Sequence, residues 1–205
     1  MSRPRFRSRR ASAVLTLAAF LALGAVQLWY QSRDVEIVLN IGEPWEDMRQ
    51  RSSAKIDPAT PKVISFNTPK SDARLRLTDP QYGFVTQPAR FFAIIFKNER
   101  VSSLRMSPQI EPLLLDDTLK ILLDLQEQWR NAGWRPILTG TFPSFADTPQ
   151  WRARLRDVNK GGTAYWQAGD KYQVMLGVNR FRDDKRPTEE RYLITLALAK
   201  PWVEP

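Results

Sequence analysis

FFAIIF, residues 91–96, is a run of apolar residues without a single charge or turn-forming residue. A run of this length without polar alternation predicts a β-strand that is buried on both faces of a sheet. Lys97-Asn98-Glu99-Arg100 follows as a turn, and residues 101–106 return as a second strand. This stretch therefore predicts a β-hairpin.

A meander of strands is predicted at the C-terminal end, where β-branched and aromatic residues alternate with turn signals. The strands cover residues 163–168, 171–181 and 191–199, and the turn Gly169-Asp170 and the charged loop 182–187 join them. Shorter strands are predicted nearer the N-terminus, at 34–41, 73–77 and 82–86. The proline-containing residues 54–70 are predicted to be an extended stretch or a loop.

Helical periodicity is clearest in residues 116–132, where apolar side chains recur at three- and four-residue spacings. Asp116 and Asp117 favour the start of this helix, and Gly133 can end it in the left-handed conformation. A second helix follows Thr148-Pro149, and a short one begins at Pro44. Together these elements predict an α+β domain of antiparallel sheet or sheets with two to three helices packed on one face.

Residues 11–30 carry no charge and would form a helix ~30 Å long, which matches the hydrocarbon core of a membrane. The arginines among residues 1–10 favour a cytoplasmic N-terminus. We therefore expect a bacterial inner-membrane protein with a basic cytoplasmic segment (1–10), a transmembrane signal anchor (11–30) and a periplasmic domain (31–205). A cleaved signal peptide is the alternative, and a division of the outer domain into sub-halves 31–110 and 111–205 stays open.

The composition excludes several kinds of chemistry. The chain contains no Cys and no His, so zinc structural sites, haem, iron–sulfur clusters, histidine bases and cysteine nucleophiles are not available, and no cofactor or metal is expected.

The net charge is +9, but residues 1–30 hold five of the 31 basic residues and no acidic one. The remaining charge is close to balanced, so nucleic acid is not an expected partner.

The segment Ile41-Gly42-Glu43-Pro44-Trp45-Glu46-Asp47-Met48, followed by strands and then by residues 91–106, resembles the small bacterial envelope domains of the SmpA/BamE type. In those domains a Gly-initiated helix precedes a meander of strands. The resemblance covers less than half of the outer chain and implies a role in outer-membrane assembly. That family is lipid-anchored through a Cys, which this chain lacks.

Arg152, Arg156 and Trp166 are the candidate binding residues. Arg152 and Arg156 share one flank of a predicted helix and form a candidate contact for an anionic lipid or an acidic partner. Trp166 lies near the Gly169-Asp170 turn, and aromatic residues and Arg concentrate at protein interfaces. A solvated helix face and core packing are the alternative interpretations. No catalytic residue is predicted, because the paired carboxylates are sequence neighbours and cannot face each other across a cleft.

The expected function is protein binding without catalysis. The partner would be another envelope or secreted protein, and the chain would act as an envelope accessory factor or as an immunity-type inhibitor. Two alternatives stay open: a carboxylate-dependent envelope hydrolase, and a module that binds anionic lipid or glycan. A cleft with converging acids would identify the hydrolase.

Overall fold

The computed structural model describes residues 35–204, and these form ten strands and three helices. The helices are α1 (Trp45–Arg51), α2 (Leu115–Asn131) and α3 (Pro149–Arg156). The strands are β1 (Glu36–Leu39), β2 (Ile64–Asn67), β3 (Arg74–Leu77), β4 (Phe84–Val85), β5 (Phe92–Lys97), β6 (Arg100–Met106), β7 (Arg135–Ile137), β8 (Gly162–Ala168), β9 (Tyr172–Phe181) and β10 (Arg191–Ala199).

The strands form two sheets. The larger sheet has seven antiparallel strands in the order β2-β5-β6-β10-β9-β8-β7. The smaller sheet has the order β1-β3-β4, and its β1 and β3 run parallel. In the larger sheet, β10 is the last strand of the chain and joins the strands that precede α2 to those that follow it.

The α+β fold class expected from the sequence is corrected by this arrangement. Residues 35–204 are mostly β, with ten strands against three helices, and one parallel strand pair replaces a purely antiparallel arrangement. Most of the predicted strands and all three helices are confirmed. The prediction failed because two further strands, β2 and β7, were missed and extend the larger sheet at both edges.

The predicted transmembrane anchor also needs correction. No helix among residues 35–204 is long and apolar enough to cross a membrane. Residues 11–30 lie outside the described residues. The predicted anchor, the single-pass inner-membrane location and the periplasmic placement of the domain all depended on them. The transmembrane assignment is therefore not carried further.

One face of the seven-stranded sheet forms the hydrophobic core. Tyr192, Ile194, Leu196 and Leu198 alternate along β10 and are fully buried on this face. The helix α2 lies against it and buries Leu122 and other residues of its apolar face.

The predicted end of α2 and the predicted start of α3 are also confirmed. Gly133, just after α2, has φ +86°, and the Thr148 side chain, just before α3, accepts a hydrogen bond from the Trp151 N–H.

An aromatic cluster joins α2, both sheets and the segment after α2. The ring of Trp129 lies 5.6 Å from Phe84, 5.8 Å from Trp166 and 6.1 Å from Trp134, measured between centroids. Trp134 also stacks on Tyr172 at 6.2 Å. Edge and offset contacts of this kind add to the stability that burial of the rings provides.

A buried carboxylate ties the smaller sheet to the larger one. Asp79, in the turn between β3 and β4, accepts hydrogen bonds from the N–H groups of Gln81 and Tyr82, both at 2.9 Å. Lys171 Nζ and the Tyr172 hydroxyl, at the β8–β9 turn, donate to it at 3.1 and 3.0 Å. Although burial opposes ionisation, these donors hold the pKa of Asp79 below its usual value. Burial and the nearby carboxylate raise the pKa of Tyr172 to about 12.

Candidate binding surface

Among residues 35–204, no helix covers the second face of the seven-stranded sheet. We call it the open face. Strand register places Ala93, Arg105, Ala197, Met175 and Tyr165 in one row across it, on β5, β6, β10, β9 and β8. None of these five side chains is fully buried. The prediction that residues 91–96 are buried on both faces is therefore wrong.

The centre of the open face is a shallow apolar trough. Small residues of the two middle strands, Ser103, Ala197 and Ala199, form its floor. Larger side chains border it, and the enclosed volume is about 330 Å³. The bordering residues are Ile95 and Arg105 on one side and Met175 and Trp202 on the other.

A second depression of about 630 Å³ continues from this trough toward the β5–β6 turn. The two share Ser103 and Ala199, and the second is lined by the basic residues Lys97, Arg100 and Lys200. Arg100 donates a hydrogen bond to the carbonyl oxygen of Gly42 at 2.8 Å. The open face therefore has an apolar centre and a basic end.

Charge on this sheet has one sign. None of its seven strands contains Asp or Glu, whereas Lys97, Arg105 and Arg135 lie at open-face positions of the register. Lys97, Arg105 and Lys200 form no ion pair with any residue from 35 to 204. Unneutralised cations beside an apolar trough favour a surface that carries carboxylates.

Exposed apolar side chains extend the open face at its β2 edge. Ile64 is 70% exposed and Phe66 is 69% exposed, and the register places Phe66 opposite Ile95. Phe91, just before β5, is 52% exposed. Exposed apolar residues that cluster in this way mark interaction sites, whereas isolated ones have no such meaning.

The C-terminal segment 200–204 lies over β9 and β8 on the open face. The Gln173 side chain, which is fully buried, accepts hydrogen bonds from the N–H groups of Trp202 and Val203 at 3.1 and 2.9 Å. Its amide group donates to the carbonyl oxygen of Val203 at 2.8 Å. Trp202 contacts Tyr165 edge to face at 6.4 Å between centroids. One glutamine thus fixes the position of the tryptophan that borders the trough.

The structure does not bring the three predicted binding residues together. Trp166 is 1% exposed and packs on Trp129 within the core. Because Ala164, Trp166 and Ala168 alternate along β8, Trp166 lies on the covered face and its neighbour Tyr165 on the open face. The side chain of Trp166 is therefore out of reach of a partner that binds the surface of this structure.

The two predicted arginines are held by carboxylates. Arg152 bonds to Asp147 at 2.5 Å and to Asp116 at 2.6 Å, and these hydrogen bonds raise its pKa. Arg156 lies 3.4 Å from Glu190. Arg152 thereby links the start of α3 to the start of α2. Whether either arginine contacts a partner stays a prediction.

The carboxyl groups of the described residues are arranged for ion pairing. Every Asp or Glu of residues 35–204 whose pKa departs clearly from its usual value has it lowered, mostly because a neighbouring Arg donates a hydrogen bond to the carboxylate. A general acid needs the opposite shift. No group of three Asp and Glu residues in this part of the chain could hold a metal ion. The pairs in which an Arg is the main cause of the lowered carboxyl pKa are Arg76–Glu36, Arg49–Glu46, Arg152–Asp147 and Arg186–Asp183.

Sequence reasoning missed the residues of the open face. The signal was present: seven segments that now prove to be strands of one sheet contain no acidic residue, and β10 is apolar at both odd and even positions. No family model, curated protein or solved structure matches the chain. The resemblance to SmpA/BamE-type domains stays an expectation.

Proposed function

We propose that this domain is a non-catalytic protein-binding module that holds an acidic partner protein against the open face of its seven-stranded sheet. In this role it would serve as an accessory factor or as an inhibitor of that partner. The single observation that supports the proposal is the uncovered apolar trough of about 330 Å³, bordered by Arg105 and Trp202, in a sheet without acidic residues.

The residues that border the trough are of types found at interfaces. A partner would desolvate the apolar centre of the trough, and the bordering Arg105, Met175 and Trp202 belong to the residue types that are enriched at interfaces. The cations around it would attract a negatively charged surface and align it before contact. This combination supports an acidic protein with its own apolar patch as the occupant.

Catalysis is less well supported. The hydrolase alternative requires two carboxyl groups in one cleft, one of them with a raised pKa. Glu111 and Asp117 do line one groove beside α2, but Glu111 bonds to Arg186 at 2.9 Å and Asp117 to Lys120 at 2.9 Å. Carboxylates paired in this way favour a structural role.

Site-specific photocrosslinking in cells tests the proposal. A photoreactive amino acid replaces Ala197 at the floor of the trough in the full-length protein, and in a control it replaces Val158, which is 68% exposed and follows α3. We expect a crosslinked protein of acidic composition from position 197 and not from position 158. Because Arg105 borders the trough, Arg105→Glu should reduce the yield by about tenfold.

Three results would overturn the proposal. The first is equal crosslinking from both positions, which would mean random collision. The second is a crosslink to lipid in place of protein, which would assign the open face to a membrane surface. The third is an unchanged yield from Arg105→Glu, which would remove the argument from charge.

A further inference from the structure

The two sheets have four edges, and three of these are closed to further strands. At the β1 edge, the Ser53 and Ser52 hydroxyl oxygens accept hydrogen bonds from the N–H groups of Glu36 and Val38, at 2.9 and 3.0 Å. These serines occupy the backbone N–H groups to which another strand would bond. A strand whose outward N–H groups are already bonded in this way does not pair with a further strand.

The β4 and β7 edges are closed by other means. The Gln128 side chain of α2 accepts a hydrogen bond from the Val85 N–H and donates one to the Val85 carbonyl oxygen, both at 3.0 Å. This amide takes the place of a neighbouring strand beside β4. In β7 the middle residue is Pro136, which has no N–H to offer, and the exposed Arg135 precedes it.

At the β2 edge, side chains bond to the preceding segment but the backbone does not: the Ser65 hydroxyl accepts a hydrogen bond from the Thr60 N–H, and the Asn67 amide donates to the carbonyl oxygens of Asp57 and Pro58. Among residues 35–204, no backbone group of Ile64–Asn67 hydrogen-bonds to backbone outside β5 or to a side chain. The strand contains no charged residue and no proline, and it exposes Ile64 and Phe66 to about 70%. An edge that is both unpaired and apolar invites another strand.

We propose that β2 is the docking edge of this domain, to which the partner adds a short extended segment as an eighth strand. This inference rests on the proposed function, because the added strand would continue the open face: its side chains on that side would pack beside Ile64 and Phe66. Pro61 and Pro69 bracket the available edge, so the added strand is short.

Charge defines the chemistry of that segment. Lys62 and Lys70 lie just before and after β2, and Lys97 is the cross-strand neighbour of Ile64. Lys70 bonds to Asp57 at 2.7 Å, but Lys62 and Lys97 form no ion pair with another described residue. An extended segment with apolar residues beside Ile64 and Phe66, and with carboxylates at its two ends near Lys62 and Lys70, fits this edge.

A second copy of the chain fits less well. If β2 paired antiparallel with a second copy about a two-fold axis at Phe66, residue 62 of one copy would lie opposite residue 70 of the other. Lys62 would then face Lys70 across the strand pair, and like charges opposed in this way destabilise it. The charges therefore favour a different, acidic occupant.

Synthetic peptides of about eight residues test this inference with the full-length protein. One peptide has Glu residues at both ends of an alternating Val-Ser core, a second has Lys in place of Glu, and a third is the Glu peptide with N-methyl groups on the backbone nitrogens of one edge. We expect the Glu peptide to bind about tenfold more tightly than the Lys peptide and to slow hydrogen exchange at residues 63–68. The N-methylated peptide should bind at least about tenfold more weakly than its parent.

Two variants complete the test. Ile64→Lys should weaken binding of the Glu peptide, whereas Val158→Lys, at an apolar residue of equal exposure outside the sheet, should not. Equal binding of the parent and the N-methylated peptide would overturn strand addition. Equal binding of the Glu and Lys peptides would overturn the proposal that the added strand is acidic. Self-association of the protein that Ile64→Lys abolishes would show that a second copy of the chain binds at the β2 edge. None of these results alters crosslinking at position 197, so the proposed function is tested separately.

Discussion

The two faces of the seven-stranded sheet show how similar sequences can meet different surroundings. On the covered face, Tyr192, Ile194 and Leu196 of β10 are fully buried beneath α2 and the aromatic cluster. On the open face, Leu193 and Ala197 of the same strand stay partly exposed. Both faces are apolar. Apolar composition therefore predicts that the segment is a strand, but it does not predict whether other parts of residues 35–204 cover one face of the strand or both. The face left uncovered is the one that we assign to a partner.

Removing a large ring from the covered face should have the largest effect. Trp129 is fully buried at the centre of the aromatic cluster, so Trp129→Ala leaves a cavity and should lower the free energy of unfolding by about 3 to 5 kcal/mol. Urea unfolding of the full-length protein measures the change. An unchanged midpoint would mean that the covered face does not hold the fold together.

The link between the two sheets should have the next largest effect. Asp79→Asn removes the charge that Lys171 and Tyr172 bind, and should cost about 2 kcal/mol at neutral pH. Because the pKa of Asp79 is lowered on folding, its charge stabilises the fold above the unfolded-state pKa of about 3.9, and this stability is lost as the pH falls through the lower folded-state pKa. The gap between wild type and variant should therefore shrink in acid. A gap independent of pH would exclude a role for the charge.

Gln173→Ala tests the part of the open face that segment 200–204 covers. Without this amide, the N–H groups of Trp202 and Val203 lose their acceptor, and we expect a loss of about 1 kcal/mol. The more specific sign is faster hydrogen exchange and a red-shifted tryptophan emission as segment 200–204 leaves the sheet. Unchanged emission would show that other contacts hold Trp202 in place.

The smallest effect on stability is expected at the exposed edge of the open face. Phe66 is 69% exposed, so Phe66→Ser should change the free energy of unfolding by about 0.5 kcal/mol or less. The same variant should lose binding of the acidic peptide, because the peptide packs beside this ring. A large loss of stability would make Phe66 part of the core and would remove the contrast between the two faces.

Local sequence signals predicted most elements of the fold. The periodicity of residues 116–132 found α2, and Thr148-Pro149 found the start of α3, because both signals act within a few residues. β2 and β7 were missed since one is a four-residue strand in a proline-containing stretch and the other has proline at its centre. Edge strands of this kind form because a neighbouring strand pairs with them, and no local pattern records that neighbour.

The candidate site was less predictable, because it depends on contacts distant in sequence. Trp166 could be placed on one face of β8 by alternation, but which face α2 covers is decided by Trp129, 37 positions earlier. Arg152 was predicted as a contact for an anionic lipid or an acidic partner, yet it bonds to Asp147, five positions earlier, and to Asp116, which meets it only in the folded chain. The open face is defined by the absence of a covering helix among residues 35–204, and no local sequence pattern records that absence.

The position of β10 has a consequence for how the chain acquires its fold. The strands β2, β5 and β6 lie on one side of it and β9, β8 and β7 on the other, so the two triplets are joined only after the final strand has been synthesised. A nascent chain that ends before Arg191 would present two separate apolar edges, β6 and β9, and such edges misassemble readily. Folding of the large sheet must therefore await synthesis of β10 and should be slow, since pairs such as Ser103 with Ala199 close long loops.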